Sequence, residues 1–163
     1  MKFFQITMLS ISLLVFPFPS QERTKTDEQQ VTENLNKQMM CMAKNIYYEA
    51  GNEPHEGKLA VAQVTINRAN SSKFPSDFCS VVYQKVGSTC QFSWVCEKPY
   101  AVRDKYAWEE CMYIAKRALS ESILHQEIAK AKAMFFHATY VHPTWSNIKV
   151  VKKIGNHIFY TKV

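Results

Sequence analysis

The chain lacks several patterns that would assign it a class at once. Its longest apolar run, Phe3 to Phe16, is about fourteen residues, short of the roughly twenty that a membrane-spanning helix needs. That argues against a permanent span and leaves an export leader. Lys2 is the only charge before the run, and Pro17-Phe18-Pro19-Ser20 breaks it. Residues 1–20 are therefore expected to be a signal peptide, with a retained signal anchor as the other reading because no clean small-x-small cleavage pattern is present. No cysteine lies near Ser20 to suggest a lipoprotein. No Cys-x-x-Cys pair and no His-x-x-x-His pair occurs, so neither a structural zinc site nor a helix-borne zinc hydrolase site is expected, and no metal or other cofactor is assigned. The lysines are scattered and no nucleic-acid-reading motif is found, so nucleic acid is the weaker reading of the formal net charge of +6 and is not expected as a partner. An anionic polymer surface suits that charge, and so does simple solubility. There is no internal repeat.

What is present fits one domain. Of 163 residues, 21–34 are polar with one aliphatic side chain and read as a spacer, and 35–163 read as a single folded unit, expected to be monomeric. Cysteines fall at 41, 79, 90, 96 and 111. In an exported chain some should pair, and the odd count leaves one over. Cys90 and Cys96 bracket Gln91-Phe92-Ser93-Trp94-Val95, so a bridge between them, or from Cys79 to one of them, would pin that loop. Spacing does not choose the connectivity.

A first helix is expected from about Asn34 to Ala50, with Leu35, Met39, Met42, Ile46 and Glu49 on one stripe and Gly51 as a left-handed cap. Pro54, with acids around it, opens a second helix that runs to about Ala69 and is apolar all round, hence central. Phe78 to Val86 is a helical turn or a strand. A third helix carries Trp108, Met112, Ala115 and Leu119, and a fourth spans about Glu121 to Ala131. Period-two alternation then begins at Phe135 and runs through Val141, and Asn147–Ile154, Gly155-Asn156 and His157–Thr161 read as a hairpin. Helices first and a small antiparallel sheet last make an α+β domain.

Glu49 is the residue with chemical promise. It ends an otherwise oily stripe, where partial desolvation disfavours its charged form and raises its pKa, as a general acid near neutral pH requires. The alternative is a carboxylate that turns to water at a frayed helix end. Glycoside cleavage needs a proton for the leaving oxygen and help for an oxocarbenium-like centre. Glu53 is the only other acid close by in sequence, and its simpler role is to cap the second helix or hold a loop amide. Phe92, Trp94, Tyr140, Trp145 and Tyr160 are candidates for a sugar groove, although most of the ten Phe, eight Tyr and three Trp must be core. Two competing chemistries are a zinc amidase built on His137, His142 and His157, and a Cys41 nucleophile with His137 as base. The first suffers because His137 and His142 would face opposite ways on a continuous strand.

The run Tyr48-Glu49-Ala50-Gly51-Asn52-Glu53-Pro54-His55-Glu56-Gly57, then Val61-Ala62-Gln63-Val64, Ile66-Asn67-Arg68 and Phe74-Pro75, resembles the catalytic domain of the SleB/CwlJ-type cell-wall hydrolases. Cys90-Gln91-Phe92-Ser93-Trp94, Phe136-His137-Ala138-Thr139-Tyr140-Val141 with Pro143 and Trp145, and Ile154-Gly155-Asn156-His157-Ile158-Phe159-Tyr160 resemble the bacterial and phage branch of that family. The resemblance implies a lysozyme-like, lytic-transglycosylase-like helical domain that acts on peptidoglycan glycan strands. It implies cleavage between N-acetylmuramic acid and N-acetylglucosamine without an obligatory metal, leaving an anhydro-sugar end, with Glu49 as the single acid and base. Glu53, Gln91, Ser93, His137, Tyr140, His157 and Tyr160 are the groove or supporting positions expected around it. The resemblance also leaves room for an N-acetylmuramoyl-L-alanine amidase or a hydrolytic muramidase. A wall-binding or inactive lysis-regulating protein is the non-enzyme alternative. Asn52 departs from the family's usual residue, and no separate wall-binding repeat domain is present. The expected location is exported: periplasm, cell wall or extracellular space.

Overall fold

The computed structural model describes residues 25–97 and 99–163. The expected signal peptide lies outside them, and no helix among the described residues is long and apolar enough to cross a membrane. Helix α1, Lys25–Ala50, starts well before Asn34. Its opening residues, read from composition as part of a spacer, are Lys, Glu and Gln-rich helix formers, but they have no apolar face, and residues 26–37 are exposed. Leu35 is accordingly exposed, whereas Met42 and Ile46 further along the stripe are fully buried.

The α1 helix ends at a tight corner. Gly51 donates its N–H to the Tyr47 carbonyl at 2.9 Å, and Glu53 donates to Ala50 at 3.0 Å. Gly51 does not adopt the left-handed conformation expected of it. It is required because a Cβ would meet the Tyr47 carbonyl oxygen at 2.5 Å. Helix α2, His55–Ala69, follows with Pro54 as its N-cap and no side chain capping it. It is buried as its all-round apolar pattern predicts, and it contributes Ala62 and Ile66 to a core with Met42, Ala43 and Ile46 of α1. The third partner in that core is helix α5, Lys105–Ala118, through Ala107, Cys111, Ile114, Ala115 and Ala118. The buried stripe is thus set one position from the expected one, and Trp108 and Met112 pack at its edge.

Between α2 and α5 the undecided segment resolves into both alternatives. Phe78–Val82 is helix α3, capped by Asp77, and Lys85–Val86 (β1) pairs with Thr89–Cys90 (β2). A single helical turn, α4, Ser93–Cys96, closes the loop. Two disulfides brace this region: Cys41–Cys79 ties α1 to α3, and Cys90–Cys96 spans α4. The first bridge occupies Cys41, so it is no free nucleophile, and Cys111 is the buried free thiol. A buried polar chain also anchors α4 to the body. Trp94 Nε1 donates to Asn45 Oδ1, and Asn45 Nδ2 donates to Thr65 Oγ1, both at 3.2 Å.

The expected fourth helix is short. Helix α6 is Gln126–Lys130, because the Leu124 and His125 N–H groups donate to Gln63 Oε1 at 2.6 and 3.2 Å and the chain stays extended until His125 caps the turn. The sheet then forms with the order β3 (Phe135–Ala138), β5 (His157–Lys162), β4 (Ile148–Ile154), all antiparallel. Strand β3 stops at Ala138, short of Val141, where Ala138 pairs with His157, the first residue of β5; Thr139 still donates its N–H to the Asn156 carbonyl at 2.7 Å, and the chain then turns, with Val141 donating to the Ala138 carbonyl at 2.8 Å. Phe159 and Ile154 pack the sheet onto Val61 and Val64 of α2. Helices over a small C-terminal antiparallel sheet make the α+β arrangement.

Candidate functional site

The last turn of α1 brings Glu49 to the junction of two lobes of a surface groove. One lobe, about 530 Å3, is walled by the α4 loop (Gln91, Phe92, Ser93, Trp94, Glu97) and by β3 with its following turn (Phe136, His137, Tyr140). The other, about 410 Å3, lies over the α1–α2 corner and the start of α5. Glu49, Tyr48, Tyr100, Ala138, Tyr140 and His157 line both.

Glu49 is half-buried, and its carboxyl pKa is pushed up from 4.5 to about 7. Burial is the main cause; the nearby Glu97 carboxylate adds to it, and Arg68 opposes it. The desolvation expected from the oily stripe is therefore present, and near neutral pH both protonation states are populated. Arg68, to which the sequence assigns no role beyond the Ile66-Asn67-Arg68 run, is 3% exposed. Its Nε donates to the Met134 carbonyl at 2.8 Å, and the guanidinium lies over the rings of Phe92 and Phe74 at 5.0 and 5.3 Å. Burial lowers its pKa to about 10, still far above neutrality, so a fixed cation sits in the lobe beside Glu49. Nη1 of Arg68 is sealed from solvent without a partner. A basic residue in the last turn of a helix that is buried all round was the signal that could have found it.

Glu53 does not cap α2. It holds a loop amide instead: its Oε2 accepts from the Asn156 N–H at 2.9 Å, and its Oε1 accepts from Asn156 Nδ2 at 3.1 Å. The Gly155 turn makes this possible, since it adopts φ +54° and a Cβ there would overlap the Glu53 carboxylate. Holding Asn156 fixes the start of β5, and the next residue, His157, lines the same two lobes as Glu49. His157 lies on the sheet face that looks to the helices; burial lowers its pKa, with Glu53 opposing and His137 adding, so the ring is neutral at neutral pH. Its Nδ1 has no partner.

His137 is on the opposite sheet face. Its Nδ1 lies 2.9 Å from the Ala138 carbonyl and its Nε2 2.8 Å from the Tyr160 hydroxyl, an arrangement satisfied when Nδ1–H donates and the hydroxyl donates to Nε2. Tyr160 stacks on His137 at 5.2 Å and does not line either lobe; Trp145 meets both rings edge-on. Tyr140 is 80% exposed at the groove mouth. Gln91, Ser93, His137, Tyr140 and His157 thus come together with Glu49 in one lobe, Glu53 lies in the other, and Tyr160 lies behind His137. His142 lies outside both lobes, and among the described residues no group of three or more His, Cys, Asp or Glu side chains is placed to hold a metal.

Solved structures share this fold. The catalytic domain of the Bacillus cereus SleB protein superposes with a TM-score of 0.56 at 23% identity, covering 77% of this chain and 91% of that one. The catalytic domain of the germination-specific lytic transglycosylase SleB from Bacillus anthracis gives 0.59 at 24%, covering 76% and 93%. The lysozyme-like α+β fold is therefore the fold of this chain. In sequence, the spore cortex-lytic enzymes of Oceanobacillus iheyensis and Bacillus subtilis are 31% identical over 122 residues and 27% over 125. The match takes in 74% and 76% of this chain but only 40% and 37% of those proteins. The family model described as Cell Wall Hydrolase matches residues 52–160, beginning three residues after Glu49 and taking in the groove walls that follow it. The chain belongs to the Cell Wall Hydrolase family.

Proposed function

We propose that this chain degrades peptidoglycan by cutting its glycan backbone between N-acetylmuramic acid and N-acetylglucosamine, as a lytic transglycosylase whose proton shuttle is Glu49. The observation that carries the reading is a half-buried carboxyl at the meeting point of two lobes, with its pKa near 7. Protonated Glu49 gives its proton to the glycosidic oxygen as the bond to muramyl C1 breaks. The resulting carboxylate, stabilised by the Arg68 charge, takes the proton of the muramyl C6 hydroxyl as that oxygen closes on C1. The cycle returns Glu49 to its acid form and leaves an anhydromuramyl end. Gln91 and Ser93 are hydrogen-bonding groups and Tyr140 and Trp145 ring faces suited to N-acetyl sugars. The substrate class accords with the family and with the names of the spore cortex-lytic relatives. An exported location accords with such a substrate.

Purified Glu49→Gln keeps its fold and loses activity on insoluble peptidoglycan; wild-type clearing rate in that variant overturns the assignment. One observation favours a second reading: Glu97, a second carboxylate in the same lobe, could activate water and make the enzyme a hydrolytic muramidase. Mass spectrometry of the released fragments separates the two. Anhydromuramic ends support the transglycosylase, reducing muramic ends support the muramidase, and free stem peptides support an amidase instead.

A further inference from the structure

The two lobes that meet at Glu49 differ in kind, and the difference has a counterpart in the polymer. The α4 lobe presents ring faces, and its cation Arg68 is buried beside Glu49 and Glu97. The other lobe shares Tyr48, Tyr100 and Tyr140 with it and adds side-chain amides and charges of its own: Asn52, Glu53, Arg103, Asp104 and Asn156. Within it most groups are already engaged. Glu53 holds Asn156, and the Asp104 carboxylate accepts from the Ala107 N–H at 3.0 Å. Arg103 is not engaged. Its backbone N–H donates to the Tyr47 hydroxyl at 3.2 Å, which fixes the residue at the lobe's edge, while its guanidinium makes no ion pair or hydrogen bond with any described residue. The Asn52 carboxamide is also exposed and unengaged.

The glycan backbone of peptidoglycan carries N-acetyl and hydroxyl groups and no formal charge; its carboxylates are on the peptide stem. That stem branches from the lactyl group of the muramic residue whose C1 is cut, so a groove with its acid at the cut bond needs room for a branch immediately beside that acid. We propose that the Arg103 lobe receives the peptide stem, with Arg103 pairing a stem carboxylate and Asn52 its backbone amides. The enzyme then selects stem-bearing glycan over bare glycan. This rests on the glycan-cutting reading above.

The test uses the full chain and two substrates: intact peptidoglycan, and the same strands stripped of stems by an amidase, with the lactyl carboxylates so freed capped as methylamides to keep the bare glycan uncharged. Arg103→Glu is expected to lose about five-fold or more in kcat/KM on stem-bearing strands relative to stripped strands, carried by KM, since a charge pair at an exposed rim is modest and its reversal adds repulsion. Arg103→Lys recovers most of the ratio. An equal loss on both substrates overturns the proposal and makes the lobe a glycan subsite; an unchanged ratio with no loss overturns it as well. Absence of glycan fragments from wild type on either substrate overturns the glycan-cutting reading itself, an outcome distinct from any change in ratio.

Discussion

Asn67 and Arg68 are neighbours on α2 and belong to opposite kinds of region. Asn67 and Gln63 sew α2 to the segment around α6: Asn67 Nδ2 donates to the Ile128 and Ala133 carbonyls at 3.0 and 2.8 Å, and Gln63 Nε2 donates to Asn67 Oδ1 and the Ser122 carbonyl. The polar atoms of both side chains are bonded along that seam. One residue on, Arg68 faces the groove with Nη1 orphaned, and across the groove His157 Nδ1 is orphaned too. A buried polar atom without a partner costs on the order of 1–3 kcal/mol. The seam stabilises the fold, whereas the groove retains uncompensated polar and desolvated groups around Glu49, the residue proposed to move the proton.

The contrast can be broken from either side. The largest effect is expected from Glu49→Gln, which should lower glycan cleavage by roughly 10²–10⁴-fold, the range that a positioned proton donor contributes, as read by peptidoglycan clearing. Next, Gln63→Leu removes the acceptor for two buried N–H groups, and denaturant unfolding should register a loss of about 3 kcal/mol, while the pH profile of the remaining activity keeps its shape. Glu49→Gln should also be more stable than wild type at high pH. Because the folded-state pKa of Glu49 is raised from 4.5 to about 7, its acid form favours the folded state, and that stability is lost as pH rises between those values. Glutamine, neutral throughout, loses nothing. The gap between variant and wild type should be near zero at pH 4 and approach about 3 kcal/mol by pH 8 in parallel denaturation curves. A flat difference across that range would mean that Glu49 is solvated after all.

Arg68→Met should move the alkaline limb of the activity profile to higher pH, since the opposing charge is gone and Glu49 holds its proton longer; Arg68→Lys should return the limb toward its wild-type position. A uniform loss of rate with an unmoved limb would reduce Arg68 to a packing role. The smallest effect on stability is expected at Tyr140, 80% exposed: Tyr140→Ala should shift unfolding by less than about 0.5 kcal/mol yet raise KM for glycan strands several-fold.

The features that could be read from sequence were those with local causes. The three-and-four spacing that ends in Glu49, the Gly155-Asn156 hairpin and the buried character of α2 each depend on a few adjacent residues. Features produced by distant partners were not legible. The fourth helix is short because Gln63, about sixty positions earlier, captures two N–H groups. Strand β3 ends early where the chain turns, with Val141 bonded back to Ala138 opposite the Gly155-Asn156 turn of the neighbouring hairpin. Arg68 was visible only as part of a family motif, since its position beside Glu49 depends on how α1 and α2 cross. Similarly, Cys41 found Cys79 through the packing of α3 on α1.

The first turns of α1 add a mechanical property. From Thr26 to Glu49 is one unbroken helix of about 35 Å, at 1.5 Å per residue, and residues 26–37 of it are exposed. A flexible leash would let the groove wander through a volume; a rod confines it to a shell of set radius around whatever grips the tip. Of all the residues on that rod, Glu49 is next to last, so its distance from the tip is set by the helical rise.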